Sequence, residues 1–239
     1  MASHSLFKGS WPDSEADNYS KLIRNPAMKI LLASVLLLCS SLAAAQVLEV
    51  NIWQPMPGMA GKTVQLGKEA EGIVNKLGGN AMVGQDRNGN LHFVTTHKNW
   101  AEWAAFQKTR SESKDWESFL SKISDKPSAT LLKNYLLNTP APGKDGAVYQ
   151  VFVWQPELGR AADLLKSGMK AKAIHEKDGV AVTIHSDQMQ NLHYVMNYES
   201  WEAWAKYQDS PHPEFQAFMQ EMSKNPSGRI IDVYTASVR

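Results

Sequence analysis

Two histidines stand at matching places in this chain of 239 residues, His92 within Asn90-Leu91-His92 and His193 within Asn191-Leu192-His193. An imidazole titrates near neutral pH, so in a pocket it can bind a ligand or act as a general acid or base. Buried in mid-strand, it can equally be structural, hydrogen-bonded across a hairpin or to a helix. Tryptophans recur in the same way. Trp53 and Trp154 each precede Gln-Pro, and Trp100 and Trp103 answer Trp201 and Trp204. All six are candidates to line a site for a small apolar or aromatic ligand, and all six serve core packing as readily. Metal chemistry has weaker support. His185 and His193 are expected on opposite faces of a hairpin, with no cysteine or carboxylate at ligand spacing, so no metal site is expected. The chain shows no glycine-rich phosphate loop, no nucleophile elbow and no Cys-His pair.

The elements that must position these side chains are written twice. Val47 to Thr109 lies on Val148 to Ser210 at a constant shift of 101 residues, with 21 of 63 positions identical. After a two-residue deletion the match resumes at a shift of 99, pairing Trp116 with Phe215, Phe119 with Phe218 and Tyr135 with Tyr234. A solenoid unit runs to roughly 20–50 residues, so this longer period is a duplicated small domain.

Each repeat parses alike. Leu48, Val50 and Ile52 alternate with Glu49, Asn51 and Trp53 in strand fashion, until Pro55, Pro57 and Gly58 break the pattern. Leu66, Ala70, Ile73 and Leu77 draw one apolar stripe on a helix that Gly78-Gly79 ends. Asn88-Gly89 then signals a hairpin between Asn80–Gln85 and Leu91–Thr96. An even-length loop there sets Gln85 across from His92 and Ser186 across from His193. The same parity groups His193 with Val182, Ile184 and Val195 on a face for helices to cover.

Asn99, with Glu102 three positions on, has capping-box spacing for a second helix. Charged residues interrupt that helix before a second stretch with Trp116, Phe119, Leu120 and Ile123, answered by Phe215, Phe218, Met219 and Met222. Pro211 and Pro213 divide it in the second repeat. Ala129–Thr139 and Arg229–Val238 supply the last strands. Strand, helix, hairpin, helix, strand is the ferredoxin-like βαββαβ order, an α+β class. One such unit leaves a sheet face bare, and tandem repeats cover it by packing sheet against sheet within one chain. The expected division is 46–139 for the first repeat, 140–146 for a linker and 147–239 for the second.

A net charge of +1 points to neither nucleic acid nor an anionic membrane as partner. Met28-Lys29, an uncharged run from Ile30 to Leu42 and Ala43-Ala44-Ala45 read as a signal peptide over 28–45, cut before Gln46. The apolar run is short of the ~20 residues a membrane span needs, so no stable anchor is expected after cleavage. Residues 1–27 are polar and without apolar periodicity, a disordered or misassigned extension. The mature chain is expected to be periplasmic or secreted and, with each repeat covering the other, a monomer.

Tyr198-Glu199-Ser200, then Trp204 and Tyr207, then Asp209-Ser210, give an aromatic strand end, a serine cap and a helix with spaced aromatics. With the βαββαβ order, this pattern resembles the dimeric α/β-barrel superfamily, in particular its antibiotic-biosynthesis and haem-degrading monooxygenase branch. The resemblance implies a fused pseudo-dimer with two sheets and helices outside. It also implies that Tyr207 stands where haem-degrading members carry a catalytic tryptophan, and that Asn51 matches their first-strand asparagine. Their haem-ligand histidine falls at Ala217, and His212, between Pro211 and Pro213, is expected to face solvent. No cofactor is therefore expected.

Three readings remain open. One is an exported small-molecule binder with aromatic pockets between sheet and helices. The second is a cofactor-independent monooxygenase-like enzyme, in which His193 with Tyr207, or His92 with Asn51, positions or deprotonates an aromatic substrate. The third is a non-enzymatic scaffold for stress sensing or partner binding.

Overall fold

The computed structural model describes residues 46–239. The signal-peptide expectation and the segment before it lie outside the described residues. The first repeat comprises β1 (Gln46–Pro55), α1 (Ala60–Lys76), β2 (Ala81–Asp86), β3 (Leu91–His97), α2 (Trp100–Ser111), α3 (Lys114–Asp125) and β4 (Ala129–Ala141). The second comprises β5 (Val148–Pro156), α4 (Ala161–Lys177), β6 (Ala181–Ser186), β7 (Leu192–Tyr198), α5 (Trp201–Gln208), α6 (Pro213–Ser223) and β8 (Gly228–Val238). Local chemistry sets the ends as the sequence predicts. Gly78 follows α1 at φ +82°, Asn99 caps α2 by accepting the Glu102 amide at 2.9 Å, and Pro213 opens α6.

The strands close a barrel in the order β1-β3-β2-β8-β5-β7-β6-β4. Each repeat contributes a four-strand sheet, and both seams join one repeat to the other. At one seam Asn138 faces Ser186 and Ala141 faces Ile184; at the other, Gly84, Gln85 and Asp86 face Val238, Ser237 and Ala236. The Ala141 pairing carries β4 two residues past its expected end at Thr139, which shortens the linker. Closure removes the sheet edges that would otherwise template aggregation.

Apolar side chains fill two kinds of space. Val50, Ile52, Val94 and Leu137 meet Tyr234 of the other repeat inside the barrel. Outside it, Leu66, Ala70 and Val74 of α1 cover Val83, Leu91 and Phe93, while Leu164 and Ala171 of α4 cover Ile184, Leu192 and Tyr194. The alternation read from β1 therefore divides barrel interior (Leu48, Val50, Ile52) from helix side (Glu49, Asn51, Trp53).

The hairpin register corrects the sequence expectation. Gln85 faces Leu91 and Gly84 faces His92; Ser186 faces Leu192 and His185 faces His193. The Asp86 amide donates to the Asn90 carbonyl at 3.0 Å, which closes a three-residue loop with Gly89 at φ +84°. Such a loop is odd where a two-residue Asn-Gly turn is even. A slip of one residue moves every side chain to the opposite face. His92 and His193 therefore point into the barrel, and His185 shares the face of His193. Val182 and Ile184 do face the helices, without His193.

The two halves of the interior are not identical. A Cβ on Gly84 would come within 2.3 Å of the Tyr149 hydroxyl, so glycine makes room for that ring. The equivalent positions hold His185 and Leu48, with large and small exchanged.

Candidate functional site

Inside the barrel, His92 Nε2 lies 3.2 Å from Asp86 Oδ2, and His193 Nε2 lies 3.2 Å from Asp187 Oδ2. Each aspartate also holds its own hairpin. Asp86 accepts the amides of Asn88 and Asn90 and the Asn90 side chain, all at 2.9 Å, and Asp187 does the same with Met189 and Asn191. Burial pushes both carboxyls up, but hydrogen bonds from histidine and asparagine outweigh it and hold them below the usual range. His92 packs against Tyr234 at 4.9 Å between ring centres, and His193 against Tyr135 at 4.7 Å. His185 bonds Thr139 Oγ1 at 2.9 Å; burial, then the neighbouring His193, lowers it to about 3. Both repeated histidines are 1 % exposed and serve as pins between hairpin and barrel.

Open space lies instead between sheet and helices. In the second repeat a 520 Å³ cavity is walled by Phe152, Trp154, Tyr194, Phe215 and Phe218. Its polar centre is His175 of α4, whose Nδ1 sits 2.5 Å from the Tyr207 hydroxyl of α5. Burial is the main reason the His175 imidazole falls to about 4, so it is neutral at pH 7. Burial, then the Asp178 charge, pushes Tyr207 up to about 12. The ring of Tyr194 lies 5.8 Å from His175, and its buried hydroxyl has no hydrogen-bond partner among the described residues.

His212 stacks on Tyr207 at 3.9 Å. Its Nδ1 is 2.9 Å from Asp178 Oδ2 and its Nε2 is 2.8 Å from the Tyr207 carbonyl. Both partners are acceptors, so the ring satisfies both only when it carries two protons. With its side chain 16 % exposed, His212 is part of the cavity wall and not the solvent-facing residue expected from its prolines. The short helix break folds it back over Tyr207.

The first repeat has a 670 Å³ cavity at the equivalent place, walled by Trp53, Phe93, Trp116 and Phe119, with Glu49, Asn51 and Arg110 among its polar groups beside the hydroxyls of Thr63, Ser124 and Ser128. Glu49 Oε2 accepts from Trp103 Nε1 at 3.3 Å and from Gln107 Nε2 at 2.9 Å. The Arg110 guanidinium lies 3.8 Å from Glu49 and 5.3 Å from the Trp116 ring centre.

The polar groups of the two cavities do not correspond. His175, Tyr194 and Tyr207 occupy the places of Val74, Phe93 and Phe106; Glu49 and Asn51 occupy those of Gln150 and Phe152. This is the signal from which the sequence could have given the sites. These polar departures from the repeat lie at the cavities, whereas the repeated histidines, His92 and His193, lie in the barrel, which has departures of its own at Gly84/His185 and Leu48/Tyr149.

Trp53 and Trp154 line the cavities. Trp100, Trp103, Trp201 and Trp204 border neither cavity. Each pair stacks edge-on at 5.8 Å, with Trp103 and Trp204 donating to Glu49 and Gln150 on the sheet behind. Tyr207 and Asn51 lie in different cavities, each apart from the repeated histidines. The pairings His193–Tyr207 and His92–Asn51 do not form, because the hairpin register turns both histidines inward. His185 and His193 share a face, yet no group of three His, Cys, Asp or Glu side chains among the described residues could hold a metal. On α6, Ala217 supplies no axial ligand for haem and does not border the cavity, and both nitrogens of His212 are engaged.

No family model matches the chain, and no curated protein matches it in sequence. Solved structures do match in shape. A protein described as a monooxygenase from Fusobacterium nucleatum aligns with TM-score 0.58 at 12 % identity, over 82 % of this chain and 92 % of its own. Another, from Lactobacillus acidophilus, aligns with TM-score 0.54 at 10 % identity, over 82 % and 93 %. An anthrone oxidase-like protein aligns with TM-score 0.54 at 12 % identity, over 81 % and 91 %. The matched span takes in both repeats. The fold is the dimeric α/β barrel, closed here within one chain.

Proposed function

We propose that this chain is an exported, monomeric protein that binds a small planar, mainly apolar molecule in the cavity of the second repeat. One oxygen of the ligand is held by His175 and Tyr194. The observation that carries this reading is a buried, incompletely partnered polar centre in a mainly apolar cavity of 520 Å³ with several aromatic walls. Ligand sites are typically about 300–1,000 Å³, apolar, with a few converging polar groups. If Tyr207 donates to His175 Nδ1, Nε2 presents a donor to a ligand carbonyl. If Nδ1 donates to Tyr207, Nε2 accepts from a ligand hydroxyl.

The test is titration of 2-naphthol into the purified protein, followed by tryptophan fluorescence. Saturable quenching is expected, with affinity reduced about fivefold by Tyr194→Phe, the ~1 kcal/mol of one hydrogen bond. Absence of saturable quenching, or equal affinity in the variant, would contradict the reading. Export is checked separately by N-terminal sequencing of protein recovered outside the cytoplasm of a bacterial host, which should begin at Gln46.

A monooxygenase-like activity without a bound cofactor is the second reading. It is favoured by the shape match to proteins described as monooxygenases and by the His175–Tyr207 pair at the cavity wall. An imidazole lowered to about 4 is a weak base at pH 7, so the pair positions a substrate better than it deprotonates one. Oxygen consumption with 2-naphthol that disappears in His175→Val would turn the assignment toward catalysis.

A further inference from the structure

The cavity of the first repeat has its own chemistry. Arg110 is the one lysine or arginine among its lining residues, and the corresponding cavity of the second repeat has none. The difference arises in the fold: α2 runs on to Ser111, while α5 stops at Gln208, before any counterpart of Arg110. The guanidinium carries five N–H donors, and its side chain is only 19 % exposed. One donor goes to Gln107 Oε1. Glu49, at 3.8 Å, is at ion-pair distance but beyond a hydrogen bond. Glu49 is meanwhile engaged by the N–H groups of Trp103 and Gln107. Asn51 spends its carbonyl oxygen on Asn134 at 2.7 Å, and its own amide N–H groups make no bond among the described residues. Arg110 and Asn51 thus offer spare donors to a cavity whose other walls are mainly apolar, with Trp53, Phe93, Trp116 and Phe119 among them.

We propose that this cavity is a second binding site, for a planar aromatic carboxylate. The carboxylate takes charge-assisted hydrogen bonds from Arg110 and Asn51, and the ring lies among Trp53, Trp116 and Phe93. A cation–π contact of Arg110 with Trp116, 5.3 Å from the ring centre, restricts the guanidinium before the ligand arrives. Glu49 opposes the ligand's charge, which sets a sign that a purely structural Glu49–Arg110 pair would not give. Replacing Glu49 with glutamine, the residue of the second repeat, should then tighten binding.

The test compares 2-naphthoate with its uncharged isostere 2-naphthamide by calorimetric titration of the purified protein at low and high salt. The carboxylate should bind at least about tenfold tighter at low salt, with the gap narrowing as salt rises. Arg110→Gln should erase the gap, Arg110→Lys should restore part of it, and Glu49→Gln should widen it. Equal affinity for the two probes, no binding of naphthoate, or weaker naphthoate binding in Glu49→Gln would overturn the proposal. Glu49→Gln and the salt dependence keep the test decisive even if Arg110→Gln proves unstable.

Discussion

At the residue scale, buried imidazoles give the molecule a defined response to acid. In the unfolded chain His175 and His185 have the ordinary value near 6.5; in the folded chain burial lowers them to about 4 and about 3. Between those values and 6.5 the unfolded state binds the protons, so their contribution is complete above 6.5 and is lost as pH falls. Asp86 and Asp187, held below 3.8, lose their contribution only at still lower pH, which leaves the window between 4 and 6.5 to histidine. The urea midpoint should fall across that window, and His175→Val, the residue of the first repeat, should flatten the fall. An unchanged slope would show that His175 is not held neutral. Single residues were also where the sequence was least legible. His92 and His193 stood out because they repeat, and repetition marked a barrel pin. His175 and Tyr194 stood out from nothing, since a histidine on a lysine-rich helix and a tyrosine in a strand are ordinary until the fold brings them together.

At the element scale, strands and helices were legible from periodicity and caps, because one buried face imposes its spacing on any element that covers it. The hairpin register was not. Asn88-Gly89 is compatible with loops of either parity, and the choice is made by Asp86, whose carboxylate gathers the amides of Asn88 and Asn90. In the second repeat the left-handed position falls on Gln190 at φ 64°, the one such non-glycine among the described residues. Gln190→Gly should raise stability by about 1 kcal/mol, the cost of holding a side chain in that region; a loss of stability on chemical denaturation would mean Gln190 makes a compensating contact. Gly84 supplies a second check. Gly84→Ala drives a methyl group at the Tyr149 hydroxyl and should cost roughly 1–3 kcal/mol. Combined with Tyr149→Leu, the residue at the matching place, the cost should shrink, and strict additivity in the double-mutant cycle would refute that contact.

At the scale of the whole molecule, duplication and the ferredoxin-like order sufficed to give the two-sheet barrel, since neither sheet can remain bare. They did not give the seams, where β4 pairs with β6 and β8 with β2, and so did not show that the chain closes its own edges. Light scattering of the chain from Gln46 should return the mass of one chain, and an obligate dimer at micromolar concentration would contradict self-closure. Either repeat alone should associate through the sheet it can no longer cover. Duplication also let the two cavities diverge while the barrel stayed common to both, so one scaffold now carries two unlike pockets. The most direct test of that division between pinned barrel and open cavity is a crystal structure of the protein soaked with 2-naphthol. The expected result is ligand density in the second repeat's cavity beside Phe215, its oxygen within hydrogen-bond distance of His175 Nε2 or the Tyr194 hydroxyl. Ligand density in the barrel beside His193 or His92, with that cavity empty, would contradict it.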